Sequence, residues 1–276
     1  MTTTADALTG TTPFRVRPTV ALGVAVYVVY LAIFYTTWAI NDVDYGSIGE
    51  SLESTKLHYA YPTLFACAST VVLLTVLGWW RISLFDKSRN GPTWVWIGPV
   101  VMIAIGLIGF SMVDIDHPEF SGSLVVWSLL GGLGVGFGEE MITRGTLIVG
   151  LRSKYGEWHV WLYSSLLFAA LHIPNVFFGL IPIGLPFQLL NTFIFATALY
   201  GIRRFTGTLI LPIIIHGLWD SGLFIPRATE TAGSFLPVLA APFMIAIGYA
   251  MVQRNKGLRL SLDGAVIESA NDRDER

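Results

Sequence analysis

Apolar runs of about 17 to 25 residues recur along the whole chain, the length a helix needs to cross a hydrocarbon core of roughly 30 Å. Over such runs only a helix satisfies its own backbone hydrogen bonds away from water. The mean hydropathy is +0.62 and 13% of residues are charged, where soluble domains carry about 25%. These constraints predict an all-α, polytopic transmembrane helical bundle. Eight spans are expected, over 18–40, 58–80, 92–113, 122–144, 158–178, 183–202, 207–225 and 233–252. Pro182 and Pro186 make the start of the sixth irregular.

A short segment, 1–17, leads into the bundle of 18–252, and a polar tail of 253–276 follows. The leading segment enters its apolar run without a small-residue cleavage site, so it reads as a retained anchor and not a removed signal peptide. The tail lacks a periodic apolar face, and disorder is the default expectation for it. The net charge of −2 offers nothing to nucleic acid. Cys67 is the single cysteine, which rules out an intrachain disulfide and a multi-cysteine metal site.

Orientation follows from the basic residues of the loops. One set of ends holds Arg15, Arg17, Arg81, Lys87, Arg89, Arg152, Lys154, Arg203 and Arg204, with Arg254, Lys256, Arg259, Arg273 and Arg276 in the tail. The opposite set holds Lys56 and Arg227. Both termini are therefore expected on the cytoplasmic side of a multi-pass protein of the cell membrane, with lipid as the surrounding partner.

Charges inside spans are costly, by about 2.5 kcal/mol or more, and mark function. The fourth span carries Glu139, Glu140 and Arg144, the fifth His172, the sixth the polar Asn191, and the seventh His216 and Asp220. Glu140 and Arg144 stand four apart and share a helix face, so the arginine can neutralise that carboxylate. Glu139 points about 100° away and is left for proton transfer. Gly132/Gly136 and Gly134/Gly138 give small-xxx-small spacings that admit close helix neighbours. Pro174 removes a backbone bond beside His172, predicting a kink there, and Pro212 is expected to loosen the seventh span. His216 and Asp220, again four apart, form a pair in which the carboxylate orients the imidazole. Two histidines with a free carboxylate are what water activation requires. A proton-coupled transporter is the competing reading, since such residues also build proton relays, and a non-catalytic membrane scaffold is a third. No inverted repeat supports a transporter.

The motifs EExxxR (Glu139, Glu140, Arg144), FxxxH (Phe168, His172) and HxxxD (His216, Asp220) resemble, in order, those of the type II CAAX prenyl endopeptidase family, also called CPBP or Abi, over about residues 122–225. The resemblance implies an intramembrane endopeptidase acting on a peptide or membrane-protein substrate, as in CAAX processing, peptide processing or bacteriocin self-immunity. It implies that Glu139 activates water with His172, that His216 and Asp220 complete the site and polarise the scissile carbonyl, and that Glu140 with Arg144 supports them. It admits a glutamic mechanism that needs no cofactor, or a divalent metal such as zinc on Glu139, His172 and His216.

Overall fold

The computed structural model describes residues 14–231 and 236–268. The segment up to residue 13, the first residues of the eighth expected span (233–235) and the end of the tail (269–276) lie outside the described residues.

Helices occupy each apolar window: α1 (Val20–Ile40), α2 (Leu52–Leu77), α3 (Thr93–Ser111), α4 (Gly122–Arg152), α5 (Glu157–Ala170), α6 (Leu185–Thr206), α7 (Ile210–Phe224) and α8 (Leu236–Asn255). The molecule is a helical membrane bundle, turned inside out relative to a soluble protein. Large apolar side chains face outward, Phe65 at 62%, Val100 at 64% and Phe187 at 68% exposure, while arginines and glutamates are sealed within. Among the described residues six helical stretches, not eight, are long and apolar enough to cross a membrane. The seventh expected span falls short because α7 has 15 residues, about 22 Å at 1.5 Å per residue, whereas the α5 stretch qualifies through the 3₁₀ turn that carries it on to Phe178. It packs between α3 and α4.

Glycine sets how close that packing is. A Cβ on Gly136 would collide with the carbonyl oxygen of Ile213 and stand 2.7 Å from the Gly217 nitrogen, and one on Gly132 would collide with Ser221 Oγ, all on α7. The glycine stripe serves more than one neighbour: Gly134 meets Thr63 of α2, and Gly138 meets Tyr30 of α1. α4 is thus the central post of the bundle.

Three local expectations are corrected. The fourth span does not end at 144: a π-helical stretch, Met141–Leu147, passes into a further α-turn ending at Arg152. The glutamate pair therefore sits well inside the helix and not at an interfacial end. Pro174 does not kink a continuing helix; α5 stops at Ala170 and the chain runs on as a 3₁₀ turn, Ile173–Phe178, with His172 at the break. Pro212 does not loosen α7, because it falls in the first helical turn, where no backbone bond is lost. The irregular start of the sixth span is a 3₁₀ turn, Pro182–Gly184.

The described residues of the tail are ordered, contrary to the expected disorder. Strands β1 (Arg259–Leu260) and β2 (Val266–Glu268) pair antiparallel, and the hairpin docks on the loop after Leu84 through Lys87 N–H to Asp263 O (2.8 Å) and the Lys87–Asp263 ion pair (2.7 Å). Beneath it lies a sealed ion cluster. Asp86 receives Arg152 and Arg203 at 2.8 Å and Arg204 at 2.7 Å, while Glu157 holds Arg152 at 2.8 Å and accepts from Tyr200. Arg152, Arg203 and Arg204, read from sequence as loop charges, are fully buried here.

Candidate active site

α4, α5, α6 and α7 bring every residue singled out from the sequence to one region. Glu139, Phe168, His172, Asn191, His216 and Asp220 line a cavity of about 260 Å³, joined on its wall by Gln188, Thr192 and Met244. A smaller aromatic chamber of about 70 Å³, walled by Phe34, Trp38, Tyr45 and Tyr59, shares Glu139, His172 and Asp220 with it. The three titratable side chains therefore face both spaces.

His216 is the hub. Its Nδ1 lies 3.0 Å from Glu140 Oε1, and its Nε2 lies 3.9 Å from Glu139 Oε2 and 3.7 Å from Asp220 Oδ2. Glu140 Oε1 also forms an ion pair with Arg144 Nη1 at 3.1 Å, with both side chains fully buried. The expected Glu140–Arg144 pair is present, but it does more than neutralise. A carboxylate accepts, so Nδ1 of His216 must be the donor, and the neutral ring then turns a lone pair on Nε2 toward the cavity. Glu140, and not Asp220, thereby orients His216. Asp220 stands on the opposite ring nitrogen, at the cavity side. This reverses the expected pairing, because close α4–α7 contact lets a carboxylate from another helix reach Nδ1 first.

His172 is fixed similarly. Its Nδ1 lies 3.2 Å from the carbonyl oxygen of Phe168, which again leaves Nε2 as an acceptor in the neutral ring. Phe168 also serves Arg144, whose guanidinium lies 3.8 Å over the ring centroid; this stacking of a desolvated cation on an aromatic face is favourable by about 2 kcal/mol. Thr143 accepts from Arg144 at 2.7 Å, and Arg203 donates to the Arg144 carbonyl within the π-helical stretch. Phe195 packs its ring 4.9 Å from His216.

Sequence reasoning missed a polar string beside these residues. Tyr35 OH lies 2.6 Å from Leu171 O and 2.9 Å from Asn175 Oδ1; Asn175 donates to Gln188 at 3.3 Å, and Gln188 donates to Tyr45 OH at 2.7 Å. Asn175, three residues past His172 in the same non-helical turn, was the signal available; Tyr35 and Tyr45 join only through folding.

A metal needs several ligands converging on one point. Among the described residues no three His, Cys, Asp or Glu side chains are so grouped. Glu140 is engaged by Arg144 and His216, and the set Glu139, His172 and His216 does not form a metal cage as placed.

The comparisons agree with this geometry. A family model, type II CAAX prenyl endopeptidase Rce1-like, matches residues 121–222. Over this segment the chain is Rce1-like. The matched stretch begins at α4, ends within α7 and holds all three motifs, so the resemblance carried by the motifs and that of the whole segment coincide. The matched family is one of proteases, and over this segment the chain is similar to it. No curated protein matches the chain.

Proposed function

We propose that the protein is a glutamate-dependent intramembrane endopeptidase whose water is activated by Glu139. The observation that carries this reading is the meeting of Glu139 Oε2 and Asp220 Oδ2 around Nε2 of His216, at 3.9 and 3.7 Å, on the wall of a cavity that also holds His172. Those separations exceed direct hydrogen bonds and match groups that share a water.

In the proposed reaction Glu139 takes one proton from the water while an Nε2 lone pair, from His216 or His172, accepts the other hydrogen. The oxygen attacks the scissile carbonyl carbon, and the C=O π electrons move to its oxygen. Both histidines present acceptors, so the oxyanion needs another donor; the Asn191 amide on the cavity wall is the assignment. Glu139 then returns its proton to the leaving amine as the C–N bond breaks, giving a carboxylic acid and an amine, which become carboxylate and ammonium once the acid's proton passes to the amine, with no other reactant. Asp220, 3.7 Å from Nε2 of His216, is the alternative acceptor for the water's second hydrogen and so holds the water in line. Glu140 and Arg144 are positioning residues. The substrate is a peptide or membrane-protein segment entering from the bilayer, the termini face the cytoplasm, and the cell membrane is the site of action. A glutamic mechanism of this kind calls for no cofactor.

Substrate trapping tests this. Full-length Glu139→Gln should retain peptides, identified by mass spectrometry, that the wild type cleaves and releases. Cleavage by the wild type that a chelator abolishes and zinc restores would replace this reading with a metal-dependent one.

A further inference from the structure

A second site lies on the outer surface, where α5, α6, α8 and the hairpin meet, away from the catalytic cavity. Its two parts are continuous. The polar part, of about 620 Å³, is lined by His159, Lys256, Arg259 and Glu268 together with Trp158 and Gln253. The apolar part, of about 290 Å³, shares Trp158 and Gln253 and continues past Trp161, Phe193, Ile245 and Tyr249.

Position and chemistry select the occupant. Along α8 the groove runs from Gln253 back to Ile245, about 12 Å at 1.5 Å per residue, most of one leaflet of a roughly 30 Å core. Trp158 and Trp161 stand at its mouth, with ring centroids 4.8 Å apart, and indoles gather where acyl chains meet headgroups. Trp161 Nε1 is tied to Thr197 Oγ1 at 3.1 Å, which leaves its ring as an apolar wall. The rim is basic. Glu268 is in register with Arg259 across the strand pair, so the excess positive charge rests on Lys256, which is exposed and held by Gln253 at 2.5 Å. Lys87 and Arg254 lie at this same end of the bundle, bonded to Asp263 and Asn90.

We infer that this groove binds an anionic phospholipid of the leaflet at the basic end, with the phosphate at Lys256 and Arg259 and one acyl chain between α5, α6 and α8. The inference is independent of the peptidase reading.

Native mass spectrometry of the full-length protein, titrated with dioleoylphosphatidylglycerol, dioleoylphosphatidylcholine or glycerol 3-phosphate, tests it. The anionic lipid should be retained over the zwitterionic one by about fivefold or more, and Lys256→Glu should remove about that factor, the effect of one basic residue at an anionic surface. Ile245→Trp, at a position 52% exposed, should fill the groove and weaken both lipids without lowering the thermal midpoint. Equal retention of the two lipids, unchanged retention in both variants, or glycerol 3-phosphate binding as tightly as the lipid would each overturn it.

Discussion

The molecule contains two buried charge clusters, and they are built on opposite rules. Around Asp86 and Glu157, three arginines meet two carboxylates, every participating side chain is fully buried, and the contacts are 2.7–2.8 Å ion pairs with one looser contact, Arg204 to Glu157 at 3.7 Å. Around His216, one arginine meets three carboxylates; Glu140 takes the arginine, and Glu139 and Asp220 keep side-chain exposures of 10% and 19% at a cavity. The carboxylates of the first cluster are saturated by arginine, with only Arg203 Nε and Arg204 Nη2 left unpartnered among the described residues on the cationic side, and the cluster holds helices together. The second is left short of cations where a water and a peptide carbonyl can enter. A buried charge is therefore a function candidate when its pairing is incomplete, not merely because it is buried.

Breaking the saturated cluster should have the larger effect. Asp86→Ala strands three arginines, and removing one partner of a buried pair costs about 3 to 5 kcal/mol, so expression and the thermal midpoint in detergent should fall sharply. The same residue gives a pH signature. Burial pushes the Asp86 carboxyl up, but Arg152, Arg203 and Arg204 outweigh it and hold it well below the ordinary carboxylate range. A depressed folded-state pKa stabilises fully above the unfolded value of about 4 and is lost as the pH falls through the folded one. Thermal midpoints should thus owe no slope to Asp86 between about pH 5 and 8, and its contribution should be lost only in acid.

Arg144→Ala comes next. It leaves Glu140 buried with only His216 as a partner, so the midpoint should fall by an amount that Glu140→Gln partly restores in the double variant. Cleavage should not return with stability, because a glutamine amide in place of the Glu140 carboxylate can present either an N–H or a C=O to Nδ1 and no longer selects the tautomer of His216. Recovery of both together would make Glu140 structural only. Asp220→Asn should be the mildest: an amide oxygen still accepts from the water, so kcat should fall by about tenfold or less, near the worth of one hydrogen bond, with the midpoint unchanged.

Much of the candidate site was legible because helical spacing is local. Glu140–Arg144 needed only the four-residue rule, and the glycines of α4 announced close packing, which α7 supplies. What stayed hidden depended on contacts between distant segments. Arg203 and Arg204 end α6 as any pair of loop cations would, and only Asp86, more than a hundred residues earlier, seals them. Arg203 also donates to the Arg144 carbonyl, which links the saturated cluster to the reactive one. The swap of Glu140 for Asp220 on Nδ1 was equally invisible: the i, i+4 rule proposes a partner within α7 but cannot weigh it against a carboxylate from α4. The ordered hairpin was missed because its two short strands depend on Asp263 and Gly264 reaching the Asp86 loop, a contact that no apolar periodicity reveals.

The most direct test sets one carboxylate from each cluster side by side. Glu139→Gln and Asp86→Asn are nearly isosteric changes, measured for cleavage of a quenched-fluorescent prenylated CAAX peptide and its unprenylated counterpart, and for thermal midpoint in the same detergent. Glu139→Gln should lose about 10²- to 10⁴-fold in rate on whichever peptide the wild type cleaves, with its midpoint unchanged or raised. Asp86→Asn should lose midpoint and keep most of its rate per folded molecule. A Glu139→Gln protein that still cleaves at the wild-type rate would contradict the assignment of Glu139 as the base that activates the water.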